Sequence, residues 1–210
     1  MPRTDGRRGR PPATKAEETR SRILRAARKV FSERGYDGAT FQAIAVRAGL
    51  TRPAINHYFS SKRVLYREVV SQTAELLVRA GIEHAEQETT LTGRLTAFIA
   101  AAVRANSENP SASALLVSNI LEVRRHPELS TPEADSVQMG REFLMRVVNE
   151  AIEQQEVIAD VDVPALVETL VVLFCGVGLY VGYVRDYKEM LAVVDVLPEL
   201  LQGAFWLPKQ

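Results

Sequence analysis

Apolar residues recur at intervals of three and four along almost the whole chain, and the alternation that marks a strand occurs only once. Ile23, Ala27, Val30 and Phe31 form the first stripe, with Arg22, Arg25 and Lys29 on another face. The spacing predicts a helix that starts near Lys15, carries a basic side and stops at Gly35. Phe41, Ile44, Ala45 and Ala48 then stand at i, i+3, i+4 and i+7 behind Thr40, a good N-cap, and Gly49 ends this short second helix. Thr51 caps a third helix of about two turns. Pro53 sits in its opening turn, where the missing N–H costs little, and Ile55 and Phe59 face inward as i, i+4 partners. Ser60 and Ser61 separate it from a much longer helix beginning near Lys62, with Leu65, Val69 and Leu76 on its buried side.

Beyond Glu88 the pattern stays helical, with breaks expected at Leu91 to Gly93, Ser107 to Pro110, His126 to Pro132, Val157 to Pro164 and Val184 to Tyr187. Five more helices fit between them. Leu95, Phe98, Ile99, Ala102 and Val103 give one stripe; Val137, Gly140, Leu144, Val147 and Ala151 give another. The alternation Val157, Ala159, Val161, Val163 is isolated, and a strand without a partner is not stable, so it reads as a loop. Pro198 implies a kink or a restart in the last helix. The expectation is an all-α chain of about nine helices: a basic disordered arm over 1–14, a three-helix unit over 15–61 and a larger helical domain over 62–210.

Charge sharpens this division. The chain of 210 residues has a formal net charge of +0, but residues 1–70 hold 16 Lys and Arg against 6 Asp and Glu, leaving 10 against 20 for the remainder. A basic end on an otherwise acidic chain is the electrostatic footprint of a polyanion partner confined to that end. The single cysteine, Cys175, cannot form an internal disulfide, and no export signal stands out, so a cytoplasmic protein is expected. The most apolar stretch, Leu170 to Val184, has 15 residues, short of the ~20 a membrane span requires.

A helix, a turn built on glycine and a second helix with polar outward side chains make a helix-turn-helix unit, here Thr40 to Phe59. With Ile55 and Phe59 inward, Arg52, Pro53, Asn56 and His57 lie outward near the N-terminal end of the third helix. Arg52 suits guanine O6 and N7, Asn56 suits adenine N6 and N7, and Pro53 offers an apolar edge to a thymine methyl. In the arm, Arg8, Gly9, Arg10 and Pro11 are similar to an AT-hook core that enters a narrow minor groove.

The order and spacing of Phe31, Gly35, Tyr36, Thr40, Ile44, Ala45, Ala48, Gly49, Leu50, Tyr58, Phe59, Lys62 and Leu65 resemble the DNA-binding domain of the TetR/AcrR family of bacterial regulators, over roughly residues 18–68. That resemblance implies an all-helical homodimer, three N-terminal helices for DNA, and a variable C-terminal domain for a small ligand and dimerisation. It further implies phosphate contacts from Thr40 and Gln42, a backbone clamp from Thr51, His57, Tyr58 and Lys62, and base reading by Arg52, Pro53 and Asn56. Asn56 departs from the tyrosine frequent at its position, which bears on base preference.

In the C-terminal domain, Phe98, Leu116, Asn119, Ile120, Met139, Phe143, Phe174 and Tyr180 are the candidate lining of a pocket for a small, mainly apolar effector, with His84 and Glu122 as further orienting groups. The same residue types also build plain core. Gly176, Gly178 and Gly182 permit close helix approach, and the last two helices, about 165–184 and 188–206 and including Phe205 and Trp206, are the expected dimer interface. A two-fold dimer calls for an inverted-repeat operator. The expected function is a ligand-relieved repressor; an activator of the same family and a non-specific nucleoid-associated protein are the alternatives. His57, His84 and His126 are the only histidines, and no nucleophile elbow, metal-ligand spacing or phosphate-binding glycine loop is present, so no enzyme activity, metal or cofactor is expected.

Overall fold

The computed structural model describes residues 12–132, 135–183 and 187–202. Among these residues there are nine helices and no strand. They are α1 (Pro12–Gly38), α2 (Phe41–Ala48), α3 (Arg52–Tyr58), α4 (Lys62–Ala74, carried on by a π-helical turn Glu75–Arg79 and by Ala80–Ala85), α5 (Leu91–Glu108), α6 (Ala112–Arg125), α7 (Ser136–Glu153), α8 (Val163–Tyr183) and α9 (Tyr187–Leu201). The arm residues Arg8 and Arg10 and the terminal Phe205 and Trp206 lie outside the described residues. Helix α1 begins at Pro12, not near Lys15, so the last residues assigned to the arm are helical.

The stop expected at Gly35 is a kink. Its φ of +68° breaks α1, and one more turn follows to Gly38. Thr40 Oγ1 accepts from Ala43 N at 3.1 Å, Thr51 Oγ1 from Ala54 N at 3.3 Å and Ser61 Oγ from Val64 N at 3.2 Å. Each of these three helices thus has one of its N-terminal N–H donors met by the hydroxyl of its capping residue. Gly49 closes α2 with φ +61°, and Leu50 N donates to Ala45 O across it, the bond that lets the chain turn at once into α3.

Two expected boundaries move. Leu91 to Gly93 open α5 rather than breaking the chain, because Thr90 Oγ1 accepts from Gly93 N at 3.1 Å and caps the helix there; the break lies just before it. In α4, Leu65 and Val69 are buried but Leu76 is only half-buried, while Thr73, Leu77 and Val78 are buried. The wider turn Glu75–Arg79 rotates the inward face by about one residue, a shift that a regular 3.6-residue count does not anticipate. Residues 157–162 form a loop, as expected, and α9 runs through Pro198.

The core has two parts, and they do not divide at residue 61. The first joins α1, α2 and α3 to the N-terminal half of α4 and to Ala112, Leu115 and Leu116 of α6, with Leu129 beneath. Phe31, Tyr36 and Tyr66 meet edge-on or stacked within it, with Phe31 and Tyr66 centroids 4.8 Å apart. The second joins the end of α4 to α5, α7, α8 and α9. Helix α8 extends to 21 residues, and its stretch Val163–Gly182 is long and apolar enough to cross a bilayer, so the length argument drawn from Leu170 to Val184 fails. Its packing places it within the domain: Val167, Leu170, Val171 and Val181 enter the second core, and its neighbours are α5, α6 and α7. At Gly182 a Cβ would stand 3.1 Å from the Ala114 backbone of α6, the one close approach among the three α8 glycines; Gly176 faces open space.

Candidate nucleic-acid interface and effector cavity

Burial of Ile55 (0% exposed) and Phe59 (1%) fixes which way α3 faces. Arg52, Pro53, Asn56 and His57 are all exposed, on the side away from α1, as their spacing requires. Thr40, Gln42 and Thr51 are exposed at the starts of α2 and α3, although both threonines also spend a hydroxyl lone pair as N-caps. Tyr58 is half-buried against the first core and meets His57 edge-on at 5.2 Å.

Lys62 differs from the clamp expected of it. Its Nζ donates to Tyr36 O at 2.8 Å and to Asp37 O at 3.4 Å, and lies 4.3 Å from the Tyr36 ring centroid. An ammonium there satisfies carbonyls at the C-terminal end of α1 and favours the negative end of its dipole. Lys62 therefore fastens α4 to α1. Two further ties hold the unit: Arg47 grips Glu33 with both branches of its fork at 2.6 and 2.8 Å, and Arg20 pairs with Glu68 across α1 and α4. Arg22, Arg25 and Lys29 stay exposed along α1.

Farther from α3, an apolar cavity of about 130 Å³ opens between α4, α5, α6, α7 and α8. Of the expected lining, Phe98, Leu116, Ile120 and Phe174 stand in its wall. Phe143 does not; it is buried behind Phe98 and stacks on it with centroids 5.2 Å apart. Met139 packs half-buried against both cores rather than into the cavity. Tyr180 is 52% exposed and points away, because α8 presents Val181 inward and Tyr180 outward. Asn119 borders a second, more polar cavity of about 280 Å³, together with Ser130, Thr131, Asp135, Ser136 and Arg141. Residue counting missed Ser113, Val137, Gly140 and Cys175 in the apolar wall, although Val137 and Gly140 had already shown themselves as a stripe. Burial pushes the Cys175 thiol up, so it lines the cavity as a neutral thiol.

Several polar candidates also tie α6 to α1 and α4 at the first core. Glu122, 7% exposed, accepts from Tyr36 N at 3.0 Å, and Tyr66 Oη donates to Asn119 Oδ1 at 3.1 Å. His126 Nε2 lies 3.1 Å from Asp37 Oδ2, and its ring meets Tyr36 at 5.1 Å. The hydrogen bond to Asp37 raises the His126 pKa, with Glu128 and Glu122 adding to the effect. His84 only returns to Ala80 O on its own helix.

Comparison with known proteins bears directly on this arrangement. Residues 23–69 match the family model described as bacterial regulatory proteins of the tetR family, a span that runs from within α1 through α2 and α3 into the first turns of α4. The transcriptional regulator UidR of Escherichia coli K12 is 26% identical over 164 residues, 78% of this chain and 82% of its own. The crystal structure of the TetR-family regulator PfmR from Thermus thermophilus superposes with a TM-score of 0.66 at 25% identity, over 85% of this chain and 97% of that one. Residues 23–69 thus carry a DNA-binding domain of the tetR family. A third relative, the transcriptional activator FasR of Mycolicibacterium smegmatis, is 40% identical over 74 residues, 35% of this chain and 33% of its own. The chain is accordingly a DNA-binding transcriptional regulator and not an enzyme.

Proposed function

We propose that this regulator is a ligand-relieved homodimeric repressor that binds an inverted-repeat operator and acts in the cytoplasm, where the chromosome is. The observation that carries the reading is the double role of α6. Leu116 and Ile120 face the apolar cavity, while Asn119, Glu122 and His126, on the same helix or at its end, hold α4 and the end of α1. A ligand that favours a different seat for α6 must shift those holds, and by linkage it weakens DNA binding by the factor with which DNA disfavours the ligand.

On this reading Arg52, Pro53 and Asn56 read base edges, and Thr40, Gln42, Thr51, His57 and Tyr58 position the backbone. Arg8 and Arg10 add a minor-groove contact, and Lys62 acts by fixing α4 to α1. An apolar face on α8 and α9, with Val172 70% exposed and Val196 49%, supports dimerisation through these two helices. The relative FasR, an activator by name, keeps the opposite sign of regulation in play, and that sign is set by operator position relative to the promoter.

Selection of bound sequences from random duplex DNA, followed by anisotropy titration with the selected site and with scrambled DNA, tests the DNA reading. Arg52→Ala is expected to cost about 1–3 kcal/mol on the selected site while leaving salt-dependent binding to scrambled DNA in place. Equal losses on both would instead indicate a non-specific nucleoid protein.

A further inference from the structure

Two cavities adjoin through Ile120, Ser136 and Val137, which stand in the walls of both. The apolar one, about 130 Å³, is close in size to an enclosed apolar cavity of about 150 Å³ that takes up benzene. It therefore accepts one ring or a short branched chain and little more. The polar one measures about 280 Å³. Neither alone reaches the ~300 Å³ at which ligand sites begin, whereas the two joined fall inside the ~300–1,000 Å³ range.

The charges of the polar chamber are already committed. Arg141, its only cation among the described residues, turns its fork to Glu168, with Nε 2.5 Å from Oε1 and Nη2 3.3 Å from Oε2, and gives Nη1 to Gln138 Oε1 at 2.8 Å. Asp135 stands nearby, its Oδ1 capping α7 through Gln138 N at 2.9 Å. An anionic head would find no uncommitted cation there among the described residues and would face a carboxylate; burying it would carry an uncompensated desolvation cost. The neutral groups are better placed. Asn119 is 7% exposed, and its Oδ1 is taken by Tyr66, which leaves the amide N–H end to donate. Ser130, Thr131 and Ser136 add hydroxyls that both donate and accept.

We infer that the two chambers form one site for an uncharged amphiphile, with a ring-sized or branched apolar group beside Phe98 and Phe174 and a hydroxyl, carbonyl or ester head at Asn119. The inference rests on the effector-binding role of the C-terminal domain proposed above and names the ligand class. Asn119 is the specificity-determining residue, and its bond to Tyr66 joins the head to α4.

Calorimetric titration of the full chain with 3-phenylpropan-1-ol, 3-phenylpropanoate and propylbenzene, which share one ring and differ in the head, is the test. The alcohol is expected to bind about tenfold or more tighter than either of the others. Gly140→Leu and, as a second filler, Ala102→Leu are expected to abolish binding of the alcohol; a Cβ at Gly140 meets nothing within 4 Å, so the added side chain enters the chamber without a backbone clash. Asn119→Leu is expected to bring the alcohol down to the level of propylbenzene, and Ser136→Ala to act in the same direction should the first variant not fold. Anion binding as tight as the alcohol's, no binding of the alcohol up to its solubility, or indifference to both fillers overturns the inference. Should the alcohol bind as expected and leave affinity for the selected operator unchanged, the site stands and ligand relief falls.

Discussion

At the scale of single residues, the joint between the DNA-binding helices and the rest of the chain turns on Gly35 and Glu122. Gly35 has φ +68°, and a Cβ there would lie 2.7 Å from Glu122 Oε1. Gly35→Ala is therefore penalised twice, by backbone strain and by displacement of the carboxylate, and should cost about 1–3 kcal/mol in a denaturant titration. Removing the carboxylate tests the other half of the contact. Glu122→Ala leaves the part-buried Tyr36 N–H without its acceptor and is expected to lose about 1–3 kcal/mol, whereas Glu122→Gln keeps an acceptor oxygen and should lose clearly less. Equal losses for the two variants would mean that the hydrogen bond contributes little and that packing dominates.

At the scale of elements, the clasp between the end of α1 and the end of α6 depends on pH through His126. Its folded pKa is raised, chiefly by the hydrogen bond to Asp37, so the stabilisation is fully present below the ordinary histidine value and fades as pH rises through the raised folded value. The unfolding midpoint of the wild type minus that of His126→Gln should accordingly be positive near about pH 6 and shrink towards about pH 8.5. A pH-independent difference would show that the imidazole acts by packing on Tyr36 alone. The clasp also marks what the sequence could and could not disclose. Helices α2 and α3 were legible residue by residue, because Thr40, Gly49, Thr51 and Pro53 are local signals whose meaning does not depend on distant partners. The π turn after Ala74 and the start of α5 at Leu91 were not; the first is a tertiary adjustment of register, and the second hid behind Gly93, whose N–H is capped by Thr90. The first core reaches past the boundary expected at residue 61 for a related reason: Tyr66, Leu115 and Leu116 join it through contacts far apart in sequence. Among pocket residues, periodicity identified apolar positions but not direction, so Tyr180 was expected inside and Val181 was passed over.

At the scale of the molecule, the short α3 exposes few side chains that can reach base edges, so a long recognition site requires two copies held together. The surfaces best suited to hold them are the outward sides of α8 and α9, where Val172, Leu179, Tyr180, Val193, Val196 and Leu200 are exposed and a Cβ at Gly176 would meet no atom within 4 Å. A chain of this size seldom leaves so many large apolar side chains of two helices to water unless a partner covers them. The double variant Val172→Glu/Val196→Glu alters only exposed positions and should leave the unfolding midpoint of the protomer nearly unchanged, while four carboxylates brought together across a two-fold axis oppose pairing. Sedimentation is expected to show a dimer for the wild type and a monomer for the variant. Operator affinity should then fall by about 10²–10⁴-fold, because the second half-site is no longer bound at the effective concentration that linkage provides. Affinity for an isolated half-site, set by Arg52, Pro53 and Asn56 of one copy, should hardly change. A variant that remains dimeric would place the interface elsewhere, and a monomer that keeps full operator affinity would show that one copy reads the whole site.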